Sequence, residues 1–243
     1  MTGWEIAKKS YKEIYQNISA VLIASLGWFL TAGLVLLMNL IAINAILIGQ
    51  PIWIVPFLLL ELIVVGPATA GACYVTNIIV KYGNVSITDF FKGVKEYFFK
   101  SLALNFVFFI IAGILYFDFN FFATSESYWM KVSSAIWLYG LVFVSIVCFY
   151  AYPLMIELDN LDEDDSIKNI IKYAGLLAVK NISFTIFIYF QLIIYAMLNI
   201  GLIITLPTLF MGGICILANN STLNLLVKHN VIDDIPGPQS FRK

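Results

Sequence analysis

One carboxylate stands inside an otherwise apolar run: Glu61, in the stretch LLLELIVVGPATAGACYV. A carboxyl group in hydrocarbon can do two kinds of chemistry. It can stay protonated and hydrogen-bond a neighbouring helix, or it can bind a cation or exchange a proton along a water-lined path. Glu61 falls about nine residues into its apolar run. At 1.5 Å per residue that is about 14 Å, near the middle of a hydrocarbon layer about 30 Å thick. No Lys or Arg falls inside another apolar run. The expected partner is therefore an uncharged polar side chain, from Asn39, Asn105, Gln191, Asn199 and Asn219.

The residues after Glu61 shape the helix that carries it. Pro67 removes one backbone bond and crowds the carbonyl of Ile63, so a kink is expected there. Gly66, Ala68, Ala70, Gly71 and Ala72 let a neighbouring backbone come close. Pro153 and the pair Gly212 and Gly213 supply similar weak points in later apolar runs. Cys73, Cys148 and Cys215 all lie in apolar runs and read as buried thiols acting as small hydrophobes. They lack the paired spacing of a zinc site, and His229 is the only histidine. The acidic run ELDNLDEDDS reads as a solvated stretch leading to a helix N-terminus, where negative charge is favourable. It has neither the alternate spacing nor the turn glycine of a calcium loop. The ring-rich YFDFNFFATSESYW, with Asp118 and Glu126, reads as an aromatic belt at a membrane surface, with sugar stacking as the other reading. No phosphate-binding glycine loop, cofactor motif or Ser–His–Asp set is present, so an enzyme is not expected.

These residues are carried by membrane helices. The 243-residue chain is 61% hydrophobic and 12% charged, with a mean hydropathy of +0.90, far from a soluble domain. A net charge of −1 without a basic run excludes nucleic acid as a partner and leaves the lipid bilayer. Six runs meet the length of a span: Ile18–Ile48, Ile52–Val80, Leu102–Phe117, Val132–Ile156, Ile182–Ile204 and Leu206–Val227. The third is short, and YFDFNFFA can extend it. GQP and TLPT leave room only for tight hairpins. The first sixteen residues do not resemble a cleavable signal. With six spans, every Lys and Arg except Lys131 falls on one side. That places both termini in the cytoplasm.

Three segments before the odd spans align without gaps: TGWEIAKKSYKEIYQNIS, SITDFFKGVKEYFFKSLA and SIKNIIKYAGLLAVKNIS. Each starts on a capping hydroxyl, Thr2, Ser86 or Ser166, and two continue as capping boxes, with Glu5 and Asp89. Each carries a lysine six residues on, Lys8, Lys92 or Lys172, flanked by Ile6, Phe90 or Ile170. Each ends on a small polar residue, Asn17, Ser101 or Asn181. The pattern is that of a helix lying in the interface and turning up into a span. The expected fold is an all-α membrane protein of six transmembrane helices, built as three parallel repeats of interfacial helix plus helical hairpin. The repeats cover about 2–85, 86–165 and 166–228, forming a single membrane domain over 1–228 with a tail from 229 to 243.

The stretch GPATAGACYVTNIIVKYGNVSITDFFKGVKEYFFKSLALNF resembles the YesL-like family, the bacterial membrane proteins of domain-of-unknown-function family 624. YAYPLMIELDN and IKNIIKYAGLLAVKNIS are similar to the second half of that family. Members commonly carry an Arg-Lys pair after the second span, where this chain has Lys81 alone. The family has no established activity and implies no catalytic residues. Its members are often encoded beside carbohydrate importers, which implies an importer subunit as partner. The expectation is a non-catalytic accessory or scaffold in the bacterial inner membrane. The alternative is a small transporter or channel with Glu61 lining a central path. The sequence leaves the oligomeric state open.

Overall fold

Asn17 and Asn181 end their helices in the same way. Each has left helical backbone geometry, at φ −118°, ψ 38° and φ −123°, ψ 43°. Each turns its amide back to donate to the carbonyl four residues earlier, on Glu13 and Leu177, at 3.1 Å in both cases. A side chain that occupies a terminal carbonyl stops one helix and lets the chain start another at a new angle. These junctions set the architecture of the computed structural model, which describes residues 1–39, 54–161 and 166–232.

Among the described residues every regular element is a helix. An amphipathic helix α1 (Gly3–Gln16) precedes the spans α2 (Ile18–Asn39) and α3 (Ile54–Lys81). A second, α4 (Ile87–Glu96), precedes α5 (Phe98–Thr124) and α6 (Tyr128–Asn160). A third, α7 (Ile167–Lys180), precedes α8 (Ile182–Gly201) and α9 (Leu206–Lys228). Six of these helices are long and apolar enough to cross a bilayer. The protein is an all-α, multi-pass membrane protein.

Both expected capping boxes form: Thr2 with Glu5 and Ser86 with Asp89. The second junction differs from the alignment. The chain breaks at Tyr97, one turn before Ser101, because Tyr97 is itself buried and its hydroxyl is tied to α6. Span α5 consequently starts earlier than expected, and it continues through YFDFNFFA to Thr124. The GQP connection and the end of the first apolar run lie outside the described residues, as do residues 162–165 of ELDNLDEDDS and the tail from residue 233.

Helix α3 passes through Pro67 and α6 through Pro153 without ending. Single π-helical turns occur elsewhere, at Phe29–Gly33 in α2 and at Leu206–Phe210, immediately before Gly212 and Gly213 in α9. Such turns mark local strain in a helix and often lie near functional sites. Helices α3 and α9 form the centre. Most of α9 is buried, whereas α5, α6 and α8 leave most of their surface open and present rings and aliphatic chains such as Phe106, Ile114, Ile136 and Ile186 outward. An apolar outer face is what lipid requires.

Candidate functional site

Cys73, Asn77 and Lys81 recur every four residues and therefore share one face of α3. Cys215 and Asn219 do the same on α9. The two faces meet level by level: the Sγ atoms of Cys73 and Cys215 are 3.1 Å apart, and Asn77 Nδ2 donates to Asn219 Oδ1 at 3.2 Å. Both pairs are offset by 142 positions, so α3 and α9 run parallel.

At the end of this seam lies an ion pair. Lys81 Nζ is 2.8 Å from Glu157 Oε2 on α6, and Asn77 Nδ2 donates to the other oxygen, Oε1, at 2.5 Å. Glu157 is 2% exposed and Lys81 8%. Asn219 Nδ2 also reaches Thr76 Oγ1 at 2.9 Å and the Cys73 carbonyl at 3.1 Å. A charge withdrawn from water is tolerated when it is paired and its remaining positions are hydrogen-bonded. Here both oxygens of Glu157 are occupied.

Glu157 opens the acidic run that the sequence presents as solvated. The structure corrects that reading: Glu157 faces the core, because it lies one turn inside the end of α6 and opposite Lys81. Asp159 is also engaged, accepting from Lys100 Nζ at 2.9 Å and from the Tyr97 hydroxyl at 3.0 Å. Burial, and then Asp159, hold the Tyr97 hydroxyl well above the ordinary tyrosine range.

A second polar face of α9, again spaced by four, carries Asn220, Asn224 and Lys228. Asn220 Nδ2 donates to Glu13 Oε2 at 2.5 Å and to Ser10 Oγ at 3.1 Å. The Met1 nitrogen donates to Asn224 Oδ1 at 3.0 Å, and Lys228 Nζ to Asn181 Oδ1 at 2.8 Å. Burial pushes the Glu13 carboxyl above its ordinary value, opposed by the Asn220 amide and by Lys9, 3.6 Å away. These contacts gather α1, the end of α3, the start of α5, the end of α6, the α7–α8 junction and the end of α9 at one end of the bundle.

Residues 28–119 match the model of a family described as a protein of unknown function, DUF624. Over that stretch, less than half of its length, the chain is similar to DUF624. The matched residues run from within α2 to within α5 and include Asn77, Lys81 and the whole of α4. No curated protein and no solved structure matches the chain.

Glu61, within the matched stretch, is half-buried and accepts from Asn39 Nδ2 at 2.7 Å. The structure thus selects Asn39 from the five expected partners. Asn105 Nδ2 donates to the Leu62 carbonyl at 2.9 Å, Asn199 Nδ2 to the Tyr195 carbonyl at 2.8 Å, and Asn219 belongs to the Lys81–Glu157 network. Gln191 is half-buried on α8. Twenty residues, about 30 Å of helix, separate Glu61 from Lys81, so Glu61 and the buried ion pair stand far apart along α3.

The small residues after Glu61 act as expected. A Cβ on Gly66 would lie 2.6 Å from the Ser101 carbonyl oxygen of α5, and one on Gly71 would lie 2.9 Å from that of Phe90 on α4. Gly212 serves close packing in the same way, against the Val21 carbonyl, and its N–H donates to Ser25 Oγ at 2.8 Å. Between these helices lies a cavity of about 260 Å³ lined by Thr69, Cys73, Asn105, Ser145, Cys148 and Tyr152, among others. Among the described residues no three His, Cys, Asp or Glu side chains converge as metal ligands.

Sequence reasoning missed Asn77, Lys81 and Glu157. A signal for their neighbourhood was present: NNSTLN within the last span is polar at almost every position, and α9 is the least hydropathic of the six spans.

Proposed function

We propose that this protein is a non-catalytic scaffold of the bacterial plasma membrane, with both termini in the cytoplasm, that docks another membrane component. The observation that carries this reading is the division of charge at one end of the bundle. Lys81, Glu157, Lys100 and Asp159 are paired within the fold, while Lys8, Lys92 and Lys172 point outward. Ile6, Phe90 and Ile170, the residues two positions before them, are fully buried. This equivalence supports a threefold repeat whose three amphipathic helices are anchored alike and offer one basic face. The resemblance to the YesL-like family suggests a carbohydrate-importer subunit as the partner.

Cross-linking through the outward lysines in native membranes, followed by identification of the captured protein, tests this. Recovery of an importer subunit is expected, and capture of lipid alone would overturn the docking role. Reporter fusions after residues 50, 125 and 205 should report outside, and those after 85, 163 and 235 inside. A second reading, a small transporter, is favoured by the Glu61–Asn39 pair. Solute or ion flux in liposomes holding only this protein separates the two.

A further inference from the structure

Lys180 and Lys228 converge on one cavity from different helices. The cavity, of about 570 Å³, lies among the start of α1, the end of α7, the start of α8 and the end of α9. Its walls include Asn181, Ser183, Trp4 and Phe187. Among the described residues neither lysine has a carboxylate within ion-pair distance. Lys228 is held by a neutral amide instead: its Nζ donates to Asn181 Oδ1 at 2.8 Å, and Asn181 is buried. Two cations that line one cavity repel each other, and an anion held among them relieves that repulsion.

The level of the cavity narrows the ligand. Span α8 begins at Ile182 and span α9 ends at Lys228. The lysines therefore stand where hydrocarbon gives way to headgroups, with Trp4 and Phe187 as apolar walls of the kind found in that zone. The first turn of α8 borders the cavity and has no side-chain cap, so the partial positive end of that helix adds to the lysines.

We propose that this cavity binds a phosphate group at the bilayer boundary, supplied by the headgroup of an anionic phospholipid or by a soluble phosphate. Lys180 and Lys228 provide the charge, and Ser183 Oγ and the first amides of α8 provide neutral donors.

The test is a titration of detergent-purified full-length protein with short-chain phosphatidylglycerol, read by native mass spectrometry. Phosphatidylcholine of the same chain length serves as the zwitterionic control, and inorganic phosphate is added in a separate arm at matched ionic strength. One bound phosphatidylglycerol is expected. At about 1 kcal/mol per lysine, Lys180→Gln should weaken it about fivefold, and Lys180→Gln with Lys228→Gln roughly thirtyfold. Lys180 is exposed and has no ion pair among the described residues, so its single variant does not depend on the Asn181 contact for folding. Lys168→Gln, at an exposed lysine on the same helix, should leave binding unchanged. Displacement by inorganic phosphate, lost in the variants, supports the site and assigns it a soluble source; phosphatidylglycerol binding that phosphate does not displace supports a lipid source. Equal binding of both lipids, or equal weakening by Lys168→Gln and Lys180→Gln, would overturn the proposal.

Discussion

Lys81 on α3 and Glu157 on α6 meet at 2.8 Å, with side chains 10% and 3% exposed, and Asn77 closes the pair by binding the second carboxylate oxygen. Removing one partner leaves the other charge buried without compensation. Glu157→Ala should therefore cost about 3–5 kcal/mol. The combination Lys81→Met with Glu157→Gln removes both charges while keeping an acceptor for Asn77, and should recover most of that loss. Unfolding of the two single variants and the double variant in detergent, treated as a thermodynamic cycle, measures the coupling. Additive losses would mean that the pair contributes nothing as a pair.

Close backbone approach makes a second prediction. A methyl group at Gly66 or Gly212 would lie 2.6 Å from a backbone oxygen, that of Ser101 or Val21. Neither oxygen can move without its helix, so Gly66→Ala and Gly212→Ala should each destabilise by about 1–3 kcal/mol. At Gly113 and Gly175 an added Cβ would meet nothing within 4 Å. Those substitutions should stabilise by about 0.5–1 kcal/mol, because alanine is the better helix former. Thermal unfolding of the four variants checks the contrast.

The parts legible in the sequence are those set by neighbours along the chain. Apolar runs of span length, the boxes at Thr2 and Ser86, and the small-residue run from Gly66 each depend on a few adjacent residues, and each appears in the structure. The ion pair depends on how α3 packs on α6, with 76 positions between the partners. Lys81 reads from sequence as an ordinary flanking cation and Glu157 as the first of several surface acids. The offset of 142 positions that aligns Cys73 with Cys215 and Asn77 with Asn219 is likewise a property of the assembled bundle.

Glu13 supplies a pH dependence. Its carboxyl is raised above the ordinary 4.5, first by burial, against the opposing Asn220 and Lys9. A raised acid binds its proton more tightly in the folded state. Its contribution to stability is thus complete below the unfolded value and is lost as pH rises from about 4.5 through the raised folded value. Glu13→Gln keeps an acceptor for Asn220 and should flatten that decline, so wild type should lose stability relative to the variant as pH rises. Lys9→Met removes one of the opposing charges and should move the decline to higher pH. Melting temperatures across the acidic to neutral range test both signs.

The final prediction concerns Glu61 and Asn39. Asn39 donates to Glu61 at 2.7 Å and is 7% exposed, yet its own Oδ1 is buried without a partner among the described residues. A group that both accepts from the Asn39 amide and donates to its oxygen would complete the contact. The acid form of Glu61 can do both through its hydroxyl, and so can a glutamine through its amide. Glu61→Gln should therefore change stability by no more than the roughly 0.6–1.7 kcal/mol typical of polar contacts between membrane helices. Glu61→Leu leaves both polar atoms of Asn39 unsatisfied and should cost about 1–3 kcal/mol. The two variants separate structure from transport when stability and pH-dependent flux are measured on the same samples. If Glu61 only joins α3 to α2, flux in liposomes is the same with and without Glu61→Gln. Loss of a pH-dependent flux at unchanged stability would instead show that the proton of Glu61 is exchanged during transport, and would displace the scaffold reading in favour of the transporter.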